Sequence, residues 1–167
     1  MWVDKEVQDD GVIAFLAREG YLLEPLYKTI LEHLGKTPKE HCYFLTSRRT
    51  VSVATIKEWD DVREIISKYY RGSLSNLLKA RLGLSLPKGV EDKYVMMDEE
   101  LEENISEVID LLKTQPDMLF NNVDEERAAY LEYIKSQIPE EDWNKITVVD
   151  VGYSGTIQYY LAKLLDE

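Results

Sequence analysis

The chain has 167 residues, of which 44% are hydrophobic, so a domain of ordinary size with a real core is expected. The 32 acidic residues against 20 basic residues give a formal net charge of −12, which argues against nonspecific binding to nucleic acid or anionic membranes. One cysteine and two histidines exclude an internal disulfide and a zinc site built from cysteine and histidine.

The first predicted elements are a strand and a helix. Val12 to Ala17 is a short apolar run, typical of a strand that is buried on both faces. Apolar residues then follow at helical spacing and end at Gly35, which predicts an amphipathic helix. Since Pro25 fits only the first turn of a helix, this helix is expected to begin near Leu22 or Leu23.

Polar residues follow each of the first two strands. The second strand is predicted from Cys42 to Leu45. Guanidinium groups at strand ends can bind phosphate or carboxylate with two hydrogen bonds, or they can form salt bridges within the protein. The candidate residues after the first strand are Arg18, Glu19 and Gly20, and those after the second are Ser47, Arg48 and Arg49.

The middle of the chain has helical spacing from about residue 55 to about residue 140. Helices are predicted from Ile56 to about Ala80, with an interruption at Arg71 and Gly72, from Glu99 to Lys113, and from Asp124 to Ile138. We therefore predict a single α/β domain, residues 1–167, with a helical insertion at about residues 55–140.

The last strand, Ile146 to Val151, and the helix that follows it complete the predicted fold. We expect a three-layer α/β domain with a mostly parallel, Rossmann-like sheet. Three parallel strands make a small sheet, and the chain stops just after a helix that would normally return to a further strand. The sequence is therefore expected to be an incomplete fragment, or strands from another source complete the sheet.

The loop between the last strand and its helix is the main candidate site. Glycines permit a tight loop, and the amide groups at a helix N-terminus bind anions. The alternative is a plain turn in which Ser154 or Thr156 caps the helix and Asp150 pairs with Arg18 or Arg48. If the strands are parallel, the residues that follow each strand lie together at the carboxyl ends of the sheet, where a phosphate site would form. The candidate ligand-binding residues of this loop are Asp150, Gly152, Tyr153, Ser154, Gly155 and Thr156.

Known catalytic signatures do not fit this loop, so catalytic residues stay unknown. A nucleophile elbow would need a glycine where Thr156 stands, and a Walker loop would need a lysine after Gly155. The Asp-x-Asp pair of dehalogenase-like phosphatases is absent, because Gly152 occupies the second position. We predict no metal site, although Asp150 could position a ribose hydroxyl or a hydrated magnesium ion.

Four segments of the chain resemble a known family. The order FLAREGYLLEPLY, YFLTSRR, ERAAYLEYI and VVDVGYSGTIQ resembles a domain of bacterial cell-surface polysaccharide proteins, from Ala14 to Leu165. In that family the domain follows a haloacid dehalogenase-like domain and is joined to glycosyltransferase modules. The resemblance implies an auxiliary module of polysaccharide biosynthesis that binds phosphate or a sugar nucleotide, with a flanking dehalogenase-like or glycosyltransferase domain as partner. It assigns no catalytic residues.

A second resemblance is to phosphoribosyltransferases. It implies that Arg18 to Gly20 hold pyrophosphate, that Asp150 to Thr156 hold a ribose 5-phosphate, and that Mg²⁺ assists a transfer reaction on a phosphorylated sugar. A third interpretation is a noncatalytic protein-interaction domain whose loop only caps a helix. No apolar run approaches the roughly 20 residues needed to cross a bilayer, and no signal peptide is evident. We therefore expect a cytoplasmic location without membrane insertion.

Overall fold

The computed structural model describes residues 7, 10–152 and 154–166. The chain divides into two compact units. We call Met1–Arg48 together with Leu131–Glu167 the sheet unit, and Arg49–Tyr130 the hairpin unit. The single domain with a helical insertion at about residues 55–140 stays a prediction.

The described residues form five strands, seven α-helices and one 3₁₀ helix. In chain order they are β1 (Val12–Leu16), α1 (Gly20–His33), β2 (His41–Phe44), α2 (Arg48–Ala54), α3 (Trp59–Ile66), β3 (Tyr70–Ser73), α4 (Leu74–Leu82), β4 (Tyr94–Met97), α5 (Glu102–Lys113), α6 (Pro116–Gln137), the 3₁₀ helix Glu140–Lys145, β5 (Ile146–Val149) and α7 (Thr156–Leu165). The chain is thus α/β, as predicted.

The sheet unit is built on a parallel sheet with the strand order β2-β1-β5. Phe15 lies opposite Val149 on one side and opposite Tyr43 on the other, which defines the register of the three strands. All five residues of β1 are buried, whereas all four residues of β5 are only half-buried. The predicted small parallel sheet is confirmed, and its centre is β1.

Apolar contacts cover both faces of β1 and β2. On one face the ring of Phe15 lies 5.5 Å from that of Tyr27 on α1, within a core cluster that also contains Leu31. Phe44 pairs with Leu16 rather than Phe15, so its side chain points to the opposite face. There its ring lies 5.6 Å from that of Tyr133, in the part of α6 that belongs to the sheet unit.

The hairpin unit contains an antiparallel pair, β3 and β4, that the sequence did not predict. The helix expected from Ile56 to Ala80 is wrong in one respect, because its interruption is a strand, β3. A serine caps the following helix: the Ser73 hydroxyl accepts a hydrogen bond from the Asn76 amide at 3.3 Å. Two short strands thus accompany the helices of this unit.

Two helices begin earlier than predicted. Helix α1 starts at Gly20, so Pro25 lies inside it rather than in its first turn. Helix α6 starts at Pro116, eight residues before the expected Asp124. Proline is favoured at the first helical position because it has no amide hydrogen to leave unpaired and its φ is preset for a helix.

The single cysteine lies half-buried on β2. Burial raises the pKa of the Cys42 thiol to about 11, and the carboxylates of Glu24 and Glu40 add to the increase. The thiol is therefore protonated at neutral pH, unlike the thiol of a reactive cysteine.

We expect Cys42 to react slowly with iodoacetamide at pH 8, because about a thousandth of the thiol is ionised there. Its reaction rate should rise until about pH 11, and Glu40→Gln should move this profile to lower pH. Since the pKa is higher in the folded chain than the ordinary thiol value, ionisation of Cys42 lowers the free energy of unfolding as pH rises from about 9 to about 11. A rate profile with its midpoint near 8.5, as in the urea-unfolded chain, would contradict the assignment.

Candidate functional site

The three parallel strands end along one edge of their sheet, in the order β2, β1, β5. We call the residues that follow these ends the carboxyl rim. It consists of residues 18–20 after β1, residues 47–48 after β2, and residues 150–156 after β5. The topology therefore places the three predicted segments, which we call the strand exits, at the same end of the sheet, with the exit of β1 in the middle.

The first exit combines an exposed cation with a closely packed glycine. Arg18 is exposed, and its guanidinium contacts no carboxylate among the described residues. The carbonyl of Glu19 accepts the amides of Leu22 and Leu23 at 3.0 and 3.2 Å, which starts α1. A Cβ atom at Gly20 would lie 2.5 Å from the Phe15 carbonyl oxygen, so this glycine lets the helix begin against β1. Arg18 is thus the residue of this exit that is available to a ligand.

The second exit separates its two arginines. Ser47 and Arg48 are exposed in the sheet unit, and Arg48 begins α2. In the part of the chain that the structure describes, Arg48 has no acidic partner. Arg49 instead lies in the hairpin unit, where its Nη1 contacts both carboxylate oxygens of Glu126 at 2.6 and 2.9 Å. Its guanidinium therefore holds a structural ion pair.

At the third exit, no side chain of the described residues caps the N-terminus of α7. Gly155 occupies the cap position with a φ of 61°, a left-handed conformation that suits glycine. The Thr156 hydroxyl donates to the Ser154 hydroxyl at 2.9 Å, and neither caps the helix. The first turn of α7 contains no acidic residue. A side-chain cap by Ser154 or Thr156 is therefore not found among the described residues, and Tyr153 lies outside them.

Asp150 is held by a residue that the sequence did not single out. Its carboxylate accepts a hydrogen bond from Gln158 Nε2 at 3.0 Å. It also lies against Gly152, where an added Cβ atom would be 2.7 Å from Oδ2. Gln158 Oε1 is buried and, within the described residues, has no hydrogen-bond partner. The expected pairing of Asp150 with an arginine is not found there, so the acid stays available as an acceptor beside the loop.

These groups favour anions over metal ions. Helix amides and guanidinium groups donate hydrogen bonds to phosphate oxygens, and a carboxylate accepts them from hydroxyl groups. Across residues 10–152 and 154–166, with residue 7, no three histidine, cysteine, aspartate or glutamate side chains converge as metal ligands.

Comparison with protein-family models and with curated proteins gave no match. None of the helices in the described part of the chain combines the length and apolar composition needed to cross a membrane.

Proposed function

We propose that the carboxyl rim binds the phosphate groups of a phosphorylated sugar or a sugar nucleotide. The chain would then serve as an auxiliary, cytoplasmic module of a polysaccharide-biosynthesis protein, beside a dehalogenase-like or glycosyltransferase domain. In this proposal the sheet unit corresponds to a three-layer, Rossmann-like fold, in which ligands bind at the carboxyl ends of the strands. The family assignment rests on the resemblance of the four sequence segments.

One observation carries the binding proposal: an uncapped helix N-terminus and two cations share an edge of one sheet. The first turn of α7 offers backbone amides and contains no acidic residue, and the Asp150 carboxylate is held by Gln158 of that turn. Arg18 and Arg48 follow the two neighbouring strands, and among the described residues no carboxylate neutralises either of them. In a chain with a net charge of −12, two unpaired guanidinium groups at one edge support an anion site.

A second candidate is transfer of a phosphorylated ribose or sugar assisted by Mg²⁺. The position of Asp150, at the end of β5 and beside the glycine loop, favours it. In this reaction class the carboxylate would contact a ribose hydroxyl or a hydrated magnesium ion. Metal dependence of binding separates the two functions, because the auxiliary module needs no metal.

The test is a titration of ¹⁵N-labelled protein with inorganic phosphate and then with UDP-glucose, followed by amide chemical shifts. We expect the largest shifts at Gly155, Thr156 and Ile157, whose amides start α7. Arg18→Gln and Arg48→Gln should each weaken binding about tenfold, which corresponds to about 1.4 kcal/mol.

Lys36→Gln is the matched control, since it removes one exposed positive charge between α1 and β2, at the opposite sheet edge. If this control weakened binding equally, the effect would come from net charge alone, and phosphate binding at the carboxyl rim would be refuted. Binding of phosphoribosyl pyrophosphate that requires Mg²⁺ and is lost in Asp150→Asn would favour the transferase. The absence of any shift at α7 would leave the protein-interaction domain as the remaining interpretation.

A further inference from the structure

Among the described residues, β5 is an edge strand of the parallel sheet, with no strand on its outer side. Its inner side pairs with β1, and the strand order ends at β5. Every side chain of β5 stays half-buried, although those of β1 are fully buried. The strand reads Ile-Thr-Val-Val, with high β-propensity and with no charge, proline or glycine to block pairing. An exposed edge of this composition readily accepts another strand.

At two other strands, side chains form hydrogen bonds with backbone groups at or next to the strand. Next to β2, the Leu45 amide donates to the Tyr133 hydroxyl at 2.7 Å. On β4, the Met96 carbonyl accepts the Asn104 side-chain amide at 2.8 Å. Among the described residues no side chain contacts the backbone of Ile146–Val149 in this way. Of β2, β4 and β5, only β5 lacks such a side-chain hydrogen bond within the part of the chain that the structure describes.

Acidic residues surround the N-terminal end of this edge. Lys145 precedes β5 and contacts Asp10 at 2.7 Å and Asp142 at 3.6 Å. The pairing with Lys145 lowers the pKa of the Asp10 carboxyl, which keeps it ionised at neutral pH. Glu141 is exposed in the same 3₁₀ helix. Two carboxylates thus contact one ammonium group, and Glu141 adds an exposed negative charge in the neighbouring turn, in a chain whose net charge is −12.

We propose that the outer edge of β5 takes up an extended segment of a partner protein as an added strand, with lysine or arginine at the end beside Asp10, Glu141 and Asp142. Backbone hydrogen bonds supply the pairing, and the cations complement the acidic end of the edge. A second copy of the chain is disfavoured as occupant, because it presents the same acidic residues and an equal net charge. The proposal does not depend on the phosphate site.

The test uses a fluorescent peptide of alternating valine and threonine with lysines at both ends, measured by anisotropy against the full chain. We expect saturable binding that weakens as salt is added. A peptide with glutamates in place of the lysines should bind at least about tenfold more weakly. N-methylation of alternate peptide amides should abolish binding, because it removes the hydrogen bonds of strand addition.

The double variant Glu141→Gln, Asp142→Asn should weaken binding of the lysine peptide several-fold, whereas Glu32→Gln, exposed on α1, should not. Undiminished binding of the N-methylated peptide would overturn strand addition, and equal binding of the glutamate peptide would overturn the charge assignment. A dimer in sedimentation equilibrium that the lysine peptide dissociates would make a second copy the occupant and would also overturn the proposal.

Discussion

Replacing Gly20 by alanine should destabilise the protein by about 1–3 kcal/mol, the usual range for an overpacked core position. The new Cβ atom would lie 2.5 Å from the carbonyl oxygen and 2.6 Å from the carbonyl carbon of Phe15. Phe15 belongs to the fully buried central strand, so its backbone has little room to move. Urea unfolding followed by circular dichroism would show the loss as a lower midpoint with an unchanged slope.

The direction of this effect is diagnostic, since alanine in a helix is normally more favourable than glycine by about 1 kcal/mol. Thr29→Ala provides the control on the same helix, because Thr29 is exposed and its hydroxyl donates to the Pro25 carbonyl of the same helix at 2.8 Å. Its effect should stay within about 0.5 kcal/mol. If Gly20→Ala matched or exceeded the stability of the parent, the close packing of α1 on β1 would be wrong.

The sheet unit could be predicted well because its strands carry strong local signals. Val12 to Leu16 is an apolar run long enough to be buried on both faces, and the helix after it has clear helical spacing. The predicted start of the last strand at Ile146 is confirmed, while its end lies two residues earlier, at Val149. Burial, periodicity and chain order all point to the same parallel arrangement there.

The antiparallel pair β3 and β4 could not be predicted. Each strand has only four residues, and a whole helix lies between them in the sequence. Tyr70 lies opposite Met97, and α4 intervenes between them along the chain. A run as short as Tyr94–Met97 does not distinguish a strand from part of a buried helix. Cross-strand pairing of this kind depends on tertiary contacts that local periodicity does not contain.

The candidate site was predictable in outline, since parallel strands bring their carboxyl ends to one edge. The partners of individual side chains were not. Arg49 and Glu126 are 77 positions apart, and only the folded hairpin unit brings them together. The contact between Asp150 and Gln158 depends on the path of the loop that joins β5 to α7. Adjacent arginines in the sequence thus have different surroundings.

Replacing Gly83 by alanine should destabilise the hairpin unit by about 1–3 kcal/mol. Gly83 ends α4 with a φ of +72°, and forcing an alanine into this left-handed conformation costs about 1–2 kcal/mol. The added Cβ atom would also lie 2.6 Å from Arg49 Nη1 and 2.7 Å from Glu126 Oε1. Displacing this ion pair adds at most about 1 kcal/mol, because its atoms are the ends of flexible, partly exposed side chains. The midpoint of thermal or urea unfolding measures the sum.

Gly89→Ala separates the two contributions. Gly89 has a φ of +82°, but an added Cβ atom there meets nothing within 4 Å, so only the conformational strain remains. The difference between the two variants is then the effect of the ion pair, and it should shrink when both are remade with Arg49→Met. Equal losses at both glycines would contradict the argument, because they would mean that Arg49 and Glu126 move aside without a measurable change in the free energy of unfolding.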